Sequence, residues 1–231
     1  MSSVDRFVIG VESTDVAGQI HTVGIKPRLR GVPDVFATML AVPAAALLIA
    51  HAADGVARTA SVIYGVALVL LFAVSATYHT PTWPIRVRNI LRQLDHSTIY
   101  VLIAASYTPP CLLALPRHEG LALLTVVWIT AAAGFIKSAV WRKAPRWLNA
   151  GVYVLMGWAV SPFVVELYHG LGFLGALLLL GGGVIYTVGA VIYSRRWPNP
   201  YPTVFGYHEL FHVFVVAAAA TQYVAMWNLV G

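Results

Sequence analysis

Tyr207-His208-Glu209-Leu210-Phe211-His212 opens the last apolar run of the chain, which continues to Gly231. Two histidines at i and i+4 share one face of a helix, about 6 Å apart along its axis at ~1.5 Å rise per residue. That is a metal-chelating spacing. Histidine and glutamate are costly in an apolar span, so their placement needs a reason. Of the 231 residues, 59% are hydrophobic and only 10% are charged, where a soluble domain carries roughly 25% charged residues. The chain therefore reads as an all-α polytopic membrane protein. A formal charge of +6 would suggest nucleic acid in a soluble domain. Here the basic residues sit between apolar runs, where they set topology and attract anionic lipid, so no nucleic-acid partner is expected. A single cysteine, Cys111, excludes an internal disulfide and any cysteine-based zinc motif.

Working back from the last run, six more apolar stretches approach the ~20 residues needed to cross the hydrocarbon. The seven fall at about 34–52, 59–79, 94–115, 120–140, 148–166, 171–193 and 206–229. The expected organisation is a polar, mobile tail, 1–33, followed by one seven-helix transmembrane domain, 34–231. The tail offers no apolar core for a cleavable leader, so the first span is expected to act as its own insertion signal. Pro43, Pro109, Pro110 and Pro162 are candidate kinks. The triple glycine 181–183 reads as a close helix contact. The seven tryptophans read as interfacial anchors or lipid-facing packing rather than a cofactor box. With the N-terminus inside, thirteen of the fifteen Lys and Arg residues fall on cytoplasmic segments, leaving Arg58 and Arg117 outside. The bias predicts a cytoplasmic N-terminus and an external C-terminus.

That topology brings distant residues to one depth. The second span ends with Ser75 to His79 at the inner side, and the third begins there with Asp95-His96-Ser97. The last begins there with His208 and His212. His51, His118 and His169 belong to the outer side, and His21 to the tail. His79 is then the simplest third ligand. Three imidazoles leave a fourth position open for water, the arrangement of catalytic rather than structural Zn2+, and zinc lowers the pKa of such water to roughly 7. Asp95 is the candidate to accept its proton or orient it. Ser75, one turn before His79 on the same face, is the candidate to hydrogen-bond water or substrate. Bland alternatives stand beside these: Asp95 as a helix cap or a partner for Arg92, Ser75 as helix packing, His96 and Ser97 as packing groups.

Ser75-Ala-Thr-Tyr-His79, Leu94-Asp95-His96-Ser97-Thr98-Ile99-Tyr100, Ser106-Tyr107-Thr108-Pro109 and the pair His208 and His212 occur in this order. Together they resemble the hemolysin III family, which is grouped with the progestin and adiponectin receptors and, more distantly, with alkaline ceramidases. The resemblance covers 34–231. It implies a seven-helix zinc protein with ligands His79, His208 and His212, and with the family's Ser and Asp at Ser75 and Asp95. His208-Glu209-Leu210-Phe211-His212 also satisfies H-E-x-x-H, a zinc-protease pattern. No third ligand follows His212, however, and Glu209 is better read as supporting the metal or the helix start.

Three functions follow as expectations. The first is a zinc-dependent hydrolase in a cell membrane, the inner membrane if the source is bacterial, cleaving a lipid amide or ester. The second is a zinc-containing receptor or regulator without turnover. The third is a hemolysin-type cytolytic protein, which the concentration of polar residues at one end supports poorly.

Overall fold

A computed structural model of the chain describes residues 11–14, 20–23, 26–141 and 145–231. Of the basic residues used for orientation, Arg6, Arg142 and Lys143 lie outside the described residues. Two short strands, β1 (Val11–Thr14) and β2 (Ile20–Val23), pair antiparallel in the tail, with Val11 opposite Val23. The remainder is helical: α1 (Val32–His51), α2 (Val56–His79), α3 (Ile85–Leu113), α4 (Arg117–Val140), α5 (Arg146–Gly157), α6 (Val164–Arg195) and α7 (Tyr207–Val230). Among the described residues, five stretches are long and apolar enough to cross a membrane: α1, α2, α4, Arg146–Arg195 and α7. Large apolar side chains such as Phe36, Leu40, Ile129 and Ile136 point outward, as lipid-facing surfaces require. The protein is an all-α polytopic membrane protein.

Hydropathy and backbone disagree in two places. The third apolar run was expected from 94, but α3 begins at Ile85, because a charged first third carrying Arg86, Arg88 and Arg92 extends the same helix. The fifth was expected as one span over 148–166. Instead α5 stops at Gly157, a 3₁₀ turn follows at Ser161–Phe163, and α6 starts at Val164. Pro162 lacks an N–H and restricts the residue before it, so an α-helix does not run through this point. The backbone also breaks inside α6 at Gly172, whose φ of 69° suits glycine. Backbone polar groups at the end of α5 are met by Tyr107 of α3. Its hydroxyl lies 2.9 and 2.7 Å from the carbonyls of Met156 and Gly157, and it accepts the Val160 N–H at 3.1 Å. α1 and α3, by contrast, stay helical through Pro43 and through Pro109 and Pro110.

Sequential helices α1 to α4 pack as neighbours, as do α5, α6 and α7, and α7 returns to α1, α2 and α3. The expected close approach at the triple glycine falls on Gly182, where an added Cβ would lie 2.6 Å from Gln222 Cγ of α7. α1 and α7 are tied at both ends. Arg28 and Leu29 donate to Thr203 and Val204 in the loop before α7, each at 3.0 Å, and Ala53 donates to Val230 at 2.8 Å. The two helices therefore run parallel. The starts of α1 and α7 and the end of α2 share one end of the bundle.

Candidate metal centre

His79 is the last residue of α2, which stops before Pro81 and Pro84. α7 starts cleanly after Gly206. Glu209 Oε2 accepts the Gly206 N–H at 2.8 Å, and Asn199 Oδ1 accepts the Tyr207 N–H at 3.0 Å, satisfying two donors at the helix start. That start fixes His208 and His212 one turn apart. One ring nitrogen from each of His79, His208 and His212 lies within 4.8 Å of the others, and the group could hold a metal ion. His79 Nε2 and His208 Nε2 face each other at 3.2 Å, close to the ~3.3 Å ligand spacing of tetrahedral zinc with Zn–N near 2.0–2.1 Å.

His212 supplies the sharpest test of fit. Its Nδ1 sits 2.8 Å from Asp34 Oδ1, and its buried Nε2 has no hydrogen-bond partner among the described residues. An orphaned buried nitrogen is costly unless something takes its lone pair. A cation shared with His79 and His208 would do so, while the Asp34 contact holds the proton on Nδ1. The donor set and the orphaned atom therefore fit a metal ion.

Asp34 has no counterpart in the expected site. It is 1% exposed, although it lies in the first turn of α1. The available signal was a carboxylate at the edge of an apolar run, which reads equally well as a residue favoured by the helix dipole. Asp95 is buried, with Oδ2 3.9 Å from His79 Nε2. Ser75 is buried on α2, one turn before His79. A cavity of about 60 Å³ joins Asp34, Ser75, Asp95, His208 and His212. His96 lines that cavity too, but it stands outside the three-histidine group. Glu209 is turned to the helix start and pairs with Arg30 at 2.6 Å, which leaves the zinc-protease pattern without its base. A second cavity, about 920 Å³, reaches His79, Asp95 and His208 from outside the cluster.

Comparison with known proteins adds the following. The family described as "Haemolysin-III related" matches residues 25–223. "Hemolysin-3" of Bacillus cereus is 34% identical over 191 residues, covering 80% of this chain and 83% of that protein. The human "Monocyte to macrophage differentiation factor" is 29% identical over 170 residues, covering 72% and 68%. "Heptahelical transmembrane protein ADIPOR2" of Oryza sativa subsp. japonica is 30% identical over 188 residues, covering 74% and 82%.

Proposed function

The chain belongs to the haemolysin-III family, related to heptahelical ADIPOR-type proteins, and from this footing we propose that it is a zinc-dependent membrane hydrolase. It crosses a plasma membrane seven times, N-terminus inside and C-terminus outside, and cleaves a lipid amide or ester from the cytoplasmic side. In a bacterium that membrane is the inner one, in keeping with the Bacillus relative. The observation that carries the reading is the group of His79, His208 and His212, whose buried His212 Nε2 has no partner among the described residues, with a carboxylate 3.9 Å from one member. Three imidazoles suit zinc.

Zinc held there would polarise a carbonyl and acidify water. The protein does the rest. Asp34 Oδ1 holds the proton on His212 Nδ1, so that Nε2 presents its lone pair. Asp95 Oδ2 takes a proton from the attacking water and returns it to the leaving nitrogen or oxygen as the acyl bond breaks. The Ser75 hydroxyl positions water or the substrate oxygen. Burial of all these groups keeps bulk water away and strengthens each interaction. The larger cavity is the way in for substrate.

Metal analysis of the purified protein, with lipid amide and ester turnover assays, tests this. Asp95→Asn should keep stoichiometric zinc and lose about 100-fold or more in turnover, the scale of a general base. Wild type without stoichiometric metal would sink the reading. A second reading, a zinc-containing receptor or regulator, is favoured by the relatives named as a differentiation factor and as ADIPOR2. Full function in Asp95→Asn would select it. Membrane leakage by pure protein that persists under zinc chelation would instead select a cytolytic role, the sense of the Bacillus cereus relative's name.

A further inference from the structure

The cavity of about 920 Å³ lies in the size range of small-ligand sites. Lys26, Arg30, Arg88, Arg92, Lys137 and Arg146 line it, against one carboxylate among the described residues, Asp95. A positive-inside bias explains basic residues at this end of the bundle, but it does not require them to converge on one cavity. Glu209 neutralises Arg30. Neutral groups hold three of the others: Lys26 donates to the Thr80 carbonyl at 2.8 Å, Lys137 to Asn149 Oδ1, and Arg146 to the Tyr207 hydroxyl at 3.1 Å.

Arg88 and Arg92 are different. They stand four residues apart on one face of α3, a spacing at which like charges destabilise a helix. Among the described residues, neither takes part in an ion pair. Lys26 is crowded by the same charges: partial burial, Arg30 and Arg88 hold its amine below the ordinary lysine pKa. An anion in the cavity would relieve all three. Arginine forks match phosphoryl oxygens in particular, with two parallel N–H donors each.

We propose that this cavity binds a phosphoryl group, anchored by Arg88 and Arg92, and that the hydrolase acts on a phosphoryl-bearing ligand. The second half rests on the hydrolase reading and names its substrate class. The phosphoryl group comes either from a lipid headgroup or from a free phosphate ester. Its position beside His79, Asp95 and His208 would hold the rest of the ligand against the histidines.

The test uses the full chain in nanodiscs of neutral lipid, treated with chelator so that no metal can recruit the anion. It is titrated with a short-chain phosphatidic acid, with the diacylglycerol of the same chains, and with glycerol 3-phosphate. Phosphatidic acid should bind at least about tenfold more tightly than diacylglycerol, the scale of one charge-assisted hydrogen bond. The double variant Arg88→Gln/Arg92→Gln should lose that preference while eluting as a folded monodisperse protein. Arg88→Lys/Arg92→Lys, which keeps the charge but not the two-pronged fork, should fall between the wild type and the Gln double variant. Glycerol 3-phosphate binding as tightly as phosphatidic acid identifies a free phosphate ester as the source, and much weaker binding identifies the lipid. Equal affinity for phosphatidic acid and diacylglycerol, or an undiminished preference in the Gln double variant, overturns the proposal. Phosphoryl binding by a protein that hydrolyses nothing would sink the hydrolase reading and the substrate class drawn from it, and leave the phosphoryl site standing. Hydrolysis of neutral lipids with no phosphoryl preference would sink only this one.

Discussion

At Asp34, one carboxylate decides which nitrogen His212 offers to the cluster. The contact of Oδ1 with Nδ1 at 2.8 Å keeps a proton on that nitrogen and turns the free lone pair of Nε2 inward. Asp34→Asn keeps the size but can turn an NH₂ group to Nδ1, which moves the proton to Nε2 and spoils it as a ligand. The variant is expected to lose about 10–100-fold in zinc affinity, measured by competition with a chromogenic chelator, with little change in helix content. Unchanged affinity would reduce Asp34 to a packing group. The same residue marks how much of the site could be read in advance. His208 and His212 are one helical turn apart, so sequence spacing alone puts them together, and topology adds His79. Asp34 lies 178 positions from its partner, and long-range contacts, the backbone bonds between the Arg28 segment and the loop before α7 and the Arg30–Glu209 pair among them, bring the two ends together.

Between elements, the least expected feature is the break after α5, and a single side chain closes it. Tyr107 reaches the Gly157 carbonyl and the Val160 N–H, which the turn leaves without a backbone partner among the described residues, and also lies by the Met156 carbonyl, inside an apolar region where water is not on hand. Tyr107→Phe keeps the ring and strands those groups. It should cost about 1–3 kcal/mol, read as a lower thermal midpoint in detergent, while zinc content stays at the wild-type level because the histidines sit on α2 and α7. Loss of zinc in this variant would mean that α5 supports the metal end more directly than its position implies. Hydropathy could not have found this break, because averaging over a window registers how apolar 148–166 is but not that Gly157 and Pro162 turn the chain within it. α1, α2, α4 and α7 were legible to within a few residues for the opposite reason. Each is a continuous apolar run ended by glycine, proline or polar residues, so side-chain chemistry and backbone geometry change at the same place.

Across the whole molecule, the histidine cluster joins two parts of the chain that otherwise share little. α2 belongs with α1 and α3, whereas α7 packs chiefly on α6, and the direct α2–α7 contact is small. A shared ion would cross-link the end of one to the start of the other. Its binding energy then counts toward folding, about 2.7 kcal/mol when the free metal is at 100 times its dissociation constant. Chelation should therefore lower the thermal midpoint of the wild type. His79→Ala and His208→Ala should each lower it by a similar amount, because losing any one ligand forfeits the same ion. Adding chelator to either variant should change little further, and the double variant should be no worse than the singles, a strongly non-additive pattern. If the three histidines instead act separately, the single effects add, and chelator shifts wild type and variants alike. That outcome would leave three neighbouring imidazoles with no common ligand, and it would remove the metal from the hydrolase reading while leaving the helical bundle intact.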